Sequence, residues 1–172
     1  LPGGSGKFAQ IVAGMQWAIA PTDQFGNPAG QRADITSMSW GMSGHWNEFI
    51  EPIINMRVSG VVPVVAIGND GEEISGSPGN VYEAFGIGAT DNYDNVWWRS
   101  GGEVVDKTDW LDPPADWPSS YIKPDFSAPG VSVYSSVPGD NWENWNGTSM
   151  AAPHVAGTIA LMLEANPTLT VD

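Results

Sequence analysis

Gly147-Thr148-Ser149-Met150-Ala151-Ala152-Pro153-His154-Val155-Ala156-Gly157 is the stretch that decides how this chain is read. A Gly-Thr-Ser turn runs straight into a helix of small apolar residues. The arrangement puts one hydroxyl, Ser149, at a helix N-terminus, where unpaired backbone N–H groups and the helix dipole favour developing negative charge. A serine held there is placed to be a nucleophile. Such a nucleophile needs a base, and the chain holds only two histidines, His45 and His154.

Outward from that helix, short apolar runs alternate with amphipathic segments. Ser5 is placed as the N-cap of a helix running to about Ala20, with Phe8, Ile11, Val12, Met15 and Ile19 along one face. Ala33 to Trp40 reads as a short buried strand ending at Gly41. Trp46 to Ser59 carries a second helical stripe, stopped by Gly60. Val61 to Ile67 is a β-branched run of the kind buried on both faces. Ala84 to Ala89 and Val131 to Val137 supply a third and a fourth apolar run. The alternation predicts an α/β layer with a parallel sheet. Residues 91–121 read as an irregular, Trp- and Asp-rich surface excursion, its helix or hairpin content open. No internal repeat is visible.

Composition narrows the partners. The 172 residues fit one domain or a large part of a bigger one, and 41% hydrophobic content predicts a true core. With 20 acidic against 6 basic residues, nucleic acid and anionic membrane are disfavoured as partners. Cysteine is absent, which removes disulfide and thiol chemistry. No apolar run is long enough to span a bilayer. No secretory leader opens the chain, and both ends read as cut.

Three segments end in residues that a cleft would need: Ser39-Trp40-Gly41, Ala66-Ile67-Gly68-Asn69 and Asn146-Gly147-Thr148-Ser149. The first two follow strands, and in open parallel sheets sites gather beyond the carboxyl ends of strands. Singly, each is an ordinary strand exit. Together, and in this order, they resemble the C-terminal part of a subtilisin-like serine protease catalytic domain, a subtilase. Gly147–Gly157 resembles that family's nucleophile motif. Lys123-Pro124-Asp125-Phe126-Ser127-Ala128-Pro129-Gly130 resembles the segment entering a late strand, and Gly4-Ser5-Gly6 before a helix matches in order and spacing. The resemblance runs nearly end to end and departs mainly at residues 91–121.

The resemblance implies a three-layer parallel sheet with helices on both faces, truncated here to its later strands. It implies that Ser149 attacks a scissile carbonyl, while the Asn69 side-chain amide and the Ser149 backbone N–H hold the oxyanion. Thr148 would add a weaker donor. Gly4, Ser5 and Gly6 would clasp a peptide or protein substrate from one side and Ser39, Trp40 and Gly41 from the other, by strand addition. The primary pocket would lie between Ser39–Gly41 and Ala66, Ile67 and Gly68, with Gly76 near its floor. A glycine floor predicts acceptance of large apolar or aromatic side chains. The family implies an extracellular protein, no cofactor for the chemistry, and structural calcium, for which Asp91, Asp94, Asp106, Asp109, Asp112 and Asp116 are oxygen donors.

The family's triad aspartate and histidine belong to segments N-terminal to everything in this chain. His154 matches a structural position five residues past the serine, where packing is expected. His45, in a loop, is expected to be solvated, and Asp125 matches a motif carboxylate outside the triad. The expectation is therefore a nucleophile and oxyanion hole without their base, inactive alone, with an exposed sheet edge that drives self-association or awaits a missing half. Three readings compete: a fragment of a serine endopeptidase, a non-catalytic peptide-binding or scaffolding module, and an acid protease of related fold. The Met-Ala-Ala-Pro-His continuation disfavours the last.

Overall fold

The structure, a computed structural model, describes residues 6–171. Four parallel strands form the central sheet: β1 (Ile35–Met38), β3 (Val62–Ala66), β5 (Phe85–Thr90) and β8 (Phe126–Pro129), in the order β1-β3-β5-β8. Strand β3 has every residue buried, as its unbroken apolar run predicts. Val62, Val64 and Ala66 face one cluster and Val65 faces the other, following the two-residue period of a strand. On the first side lies α3 (Thr148–Ala165), in contact with all four strands. On the second lie α1 (Phe8–Ile19) and α2 (Ile50–Val58), packed on each other, with α2 against β3. The sheet therefore carries helices on both faces.

Local signals explain most boundaries. Lys7 is the N-cap of α1, and the Gln10 side chain accepts its backbone N–H at 3.1 Å. Ser5, expected in that role, lies outside the described residues. The predicted second helix enters as a 3-10 turn at Asn47–Phe49, continues as α2 and stops at Gly60. Small ribbons decorate the sheet: β2 (Met42–Ser43) with β4 (Gly76–Ser77), β6 (Glu103–Asp106) with β7 (Ser120–Lys123), and β9 (Val133–Val137) with β10 (Asn141–Trp145), all antiparallel.

Two expectations need correction. The fourth strand of the sheet is β8, from Phe126 to Pro129, and the Val131–Val137 run forms an exposed hairpin instead. Its Val-Tyr-Ser-Ser-Val pattern offers one apolar face at most, whereas Ala128 of β8 is small enough to lie under α3. Residues 91–121 are not merely a surface excursion. Val105, Trp110 and Trp117 join the core cluster beside α2, and Trp117 Nε1 donates to Glu83 Oε1 at 2.6 Å. The indoles bury apolar area while their N–H groups find partners: Trp110 Nε1 donates to Tyr121 Oη at 3.1 Å, and Tyr121 donates to Asn80 O at 2.9 Å. Burial holds the Tyr121 phenol well above the ordinary tyrosine range.

A buried cation fixes the start of β5. Lys123 donates to Ala84 O at 2.6 Å and to Asp125 Oδ2 at 2.7 Å, and the same carboxylate oxygen accepts Gly86 N–H at 2.7 Å. Burial pushes the Lys123 ammonium below the ordinary lysine value, and Asp125 opposes that shift. Removing one partner of such a pair leaves an uncompensated charge. Asp125→Ala should therefore cost about 3 kcal/mol in a urea titration. Lys123→Met, which removes the buried charge itself, should cost clearly less; the reverse order would show that the ion pair is not what holds this corner.

Candidate active site

Parallel pairing of Met38 with Val65 brings the exits of β1 and β3 out side by side at the carboxyl edge of the sheet. Ser39–Gly41 leaves from one strand and Ile67–Asn69 from the other. The N-terminus of α3 arrives at the same edge. Ser39 Oγ donates to Ser149 O at 2.8 Å, and Ser149 Oγ sits 3.4 Å from Ser39 O. Residues separated by 110 positions are thus brought into contact.

Asn69 is held at three points. Its Oδ1 accepts Thr148 N–H at 2.9 Å and lies 3.0 Å from the Thr148 hydroxyl, while its carbonyl accepts Arg99 Nε–H at 3.1 Å. Because Oδ1 is occupied, the amide orientation is fixed, and Nδ2 becomes an outward donor. Gly147 makes this approach possible. Its φ of +154° with ψ of 161° belongs to a region only glycine adopts readily, so the backbone conformation, not lack of space for a Cβ, calls for glycine here. Neither Asn69 Nδ2 nor Ser149 N–H has a protein acceptor among the described residues. Asn69 and Ser149 line one cleft at a helix N-terminus, each with a neutral donor to offer.

A cleft of about 290 Å³ opens beside this serine. Trp40, Gly41, Ala66, Ile67 and Gly68 line it with Gly76, whereas Ser39 does not. The reading missed Met42, Ser43 and Asp70, which also line it. Asp70 directly follows the quoted Asn69, and the Ser43 hydroxyl donates to its carboxylate. Only the β2–β4 pairing of Ser43 with Gly76 puts Met42 and Ser43 on the wall, and no periodicity announces so short a ladder. Gly6 is described but does not line the cleft, and Gly4 and Ser5 lie outside the described residues.

Both histidines differ from expectation. His45 is not solvated: its ring is largely covered, edge-on to Trp110, with Nε2 3.0 Å from Glu103 Oε1. His154 does not pack: it is exposed on α3, and its Nδ1 stands 2.8 Å from Met150 O. Neither imidazole contacts Ser149. Asp125 holds Lys123 and Gly86, away from any catalytic contact. The acidic residues proposed for calcium do not come together as a side-chain cluster. No cluster of three or more candidate ligands converges among the described residues. Asp91 instead accepts the backbone N–H groups of Tyr93 and Asn95 and the Asn95 side chain, bonds that lower its pKa. Asp109 caps Asp106 N–H at 2.8 Å. Asp23 repeats the Asp91 arrangement, with Phe25 and Asn27 as donors, so this loop geometry occurs twice.

Thr148 is fully buried, and Asn69 is the acceptor for its N–H. Asn69→Ala should destabilise the fold by about 1–3 kcal/mol through that orphaned donor, measured by chemical denaturation. Asn69→Asp, which keeps an acceptor at the same place, should recover most of the loss.

The arrangement agrees with comparisons to known proteins. The subtilase family model matches residues 1–172. Bacillopeptidase F of Bacillus subtilis (strain 168) is 37% identical over 97% of this chain, which spans 11% of that relative. Alkaline elastase YaB of Bacillus sp. (strain YaB) is 34% identical over 95% of the chain and 36% of its own length. Subtilisin DY of Bacillus licheniformis is 33% identical, with 98% of the chain and 53% of the relative covered. A cold adapted subtilisin-like serine proteinase has a similar structure, with a TM-score of 0.74 and 27% identity over 98% of this chain and 52% of that one. The chain thus spans about half or less of these proteins. With a serine at the head of α3, an oriented asparagine beside it and a family match along its whole length, this chain belongs to the subtilase family of serine proteases.

Proposed function

We propose that this chain carries the nucleophile and oxyanion-binding part of a serine endopeptidase. The observation that bears most weight is Asn69, whose Oδ1 is taken up by Thr148 N–H, which leaves its Nδ2 as a donor in the cleft that Ser149 also lines. Ser149 Oγ attacks the scissile carbonyl carbon, and negative charge grows on the carbonyl oxygen. Asn69 Nδ2–H and Ser149 N–H receive that oxygen without reorganising, because both are already fixed. Collapse of the intermediate breaks the C–N bond, releases the amine and leaves an acyl-enzyme at Ser149, which water then hydrolyses. A base must accept the Ser149 proton and pass it to the amine as the C–N bond breaks. With His45 and His154 both engaged elsewhere, that base comes from segments of the protease outside this chain, and the chain alone is inactive.

The substrate is a peptide whose backbone runs along Ser39–Gly41 on one side and Gly4–Gly6 on the other. Its primary side chain enters the cleft over Gly76, where a floor without a side chain suits a large apolar or aromatic group. The Asp70 carboxylate at the rim is tied to the wall by Ser43. The protein acts outside the cell, as the family resemblance implies. Calcium is omitted from this proposal because the acidic loops are bonded to their own backbone.

One observation favours a second reading, a peptide-binding or scaffolding module. The cleft is formed while neither histidine contacts Ser149. A serine-directed peptide phosphonate separates the two in the complete protein. Labelling that disappears in Ser149→Ala supports the endopeptidase, whereas peptide binding without labelling supports the module. Asn69→Ala should then lower kcat by about a hundred- to a thousandfold with little change in KM, a range known from the corresponding donor of subtilisin itself and not obtained from this geometry.

The same incompleteness predicts self-association of the isolated chain. Strand β1 pairs only with β3 and leaves its other edge open among the described residues, and Leu161 and Met162 of α3 are exposed. Unpaired edges and apolar faces recruit further chains. Sedimentation velocity should show association that rises with concentration and is suppressed by a charged substitution such as Ser37→Lys on the edge strand. A monodisperse monomer at high concentration would count against it.

A further inference from the structure

We propose that His45 is a positioning residue for the primary specificity pocket: braced on Glu103 behind the β2–β4 wall, it sets the pocket width that selects the entering side chain. The inference rests on the protease reading above and adds a residue that does not line the cleft.

The wall cannot hold its own geometry. It is a ladder of two pairs, Met42 with Ser77 and Ser43 with Gly76, far short of a self-sufficient ribbon. Its spacing is also critical. A Cβ on Gly76 would stand 3.0 Å from Met42 O and 3.3 Å from Ile67 O, so the floor and the wall are already in contact. A shift of a few tenths of an ångström in either strand changes the space over Gly76.

Two sets of groups hold the wall from behind. The first is neutral: Gly44 O accepts from Ser77 Oγ at 3.0 Å and from Asn80 Nδ2 at 3.1 Å. The second converges on one carboxylate oxygen. Glu103 Oε1 accepts the Ser75 hydroxyl and lies 3.0 Å from His45 Nε2. Ser75 is buried and immediately precedes Gly76, and its carbonyl accepts Gly44 N–H at 2.9 Å. His45 follows Gly44. A single oxygen therefore ties the rear of both wall strands together.

The His45 contact is of a kind that transmits position. Nε2 is sealed from water, and its approach to Glu103 is close but not aligned as a hydrogen bond, so it is set by how the two side chains pack. The ring has little room to move, being edge-on to Trp110 with centroids 5.2 Å apart. Both Glu103 and Trp110 belong to the Trp- and Asp-rich excursion, which is further pinned by Leu111 N–H on Asn47 Oδ1 at 3.1 Å. That excursion thus reaches the pocket through a histidine that substrate never touches.

The test uses the complete protease and two tetrapeptide p-nitroanilides that differ only in having Phe or Ala before the scissile bond. His45→Gln and Glu103→Gln should each lower the Phe-over-Ala ratio of kcat/KM by about five- to tenfold, the scale on which small changes in pocket fit are felt. The change should lie in KM for the Phe substrate, because the wall binds ground and transition states alike. The double variant should add little to either single one. A residue that serves stability alone would instead reduce the fraction of active sites titrated by a peptide phosphonate and leave the ratio unchanged. Should His45→Gln fold poorly, Trp110→Phe weakens the same brace and should move the ratio the same way. An unchanged ratio with a full titre of active sites overturns this inference alone. Absence of both turnover and Ser149 labelling in the unsubstituted protein removes it together with the protease reading.

Discussion

Strand β3 has no side that faces water, and the architecture follows from that constraint. Its residues are buried from Val62 to Ala66, with alternate side chains sent into separate clusters. A strand covered on both faces requires helices above and below, which α3 on one side and α1 with α2 on the other supply. Both of its neighbours, β1 and β5, run parallel to it, and α2 carries the chain from β1 to β3. The carboxyl ends of β1 and β3 then open on one edge, and Ser39–Gly41 and Ile67–Asn69 become the two banks of a cleft.

What brings Ser149 to that edge is the smallness of the residues between α3 and the sheet. Ala151 and Ala152 are fully buried against Ala66, Ala89 and Ala128. Alanine on both surfaces lets helix and strands approach closely, and close packing leaves little freedom in where the helix begins. Its first turn is then locked by Thr148 on Asn69 and Ser39 on Ser149. Packing and hydrogen bonding act at the same point. The serine is positioned by the core beneath it as much as by its own contacts.

Electrostatics divides the molecule differently. The chain carries a formal net charge of −14, yet the groups that organise its interior are few and individually placed. Lys123 holds the start of β5, and Glu103 joins the rear of the pocket wall. Asp23 and Asp91 accept hydrogen bonds from loop amides, which lowers both pKa values. The acidic surface thus contains carboxylates with distinct local tasks.

The strands β1, β3 and β5, the helices α1 and α2, and the Ser149 turn were legible from periodicity, capping and glycine stops, because those signals are local. Long motifs carried the cleft further, naming Asn69 and Gly76 before any contact was known. The errors share a cause. Val131–Val137 and Phe126–Pro129 are both short and only partly apolar, and which one joins the sheet depends on which fits beneath α3. Trp110, Trp117 and His45 look like surface residues in a polar segment, but they are buried by elements distant in sequence.

Sequence alone determined the family and named Ser149 and Asn69 as the residues expected to attack and to hold the oxyanion, since each is a matter of which residues are present and in what order. Tertiary structure decided the rest: which way the Asn69 amide turns, that Ser43 and Asp70 line the cleft, that the acidic loops satisfy themselves, and that His45 stands behind the pocket. These depend on contacts between segments tens of residues apart. Burial and hydrogen-bond satisfaction, not local preference, choose among such contacts.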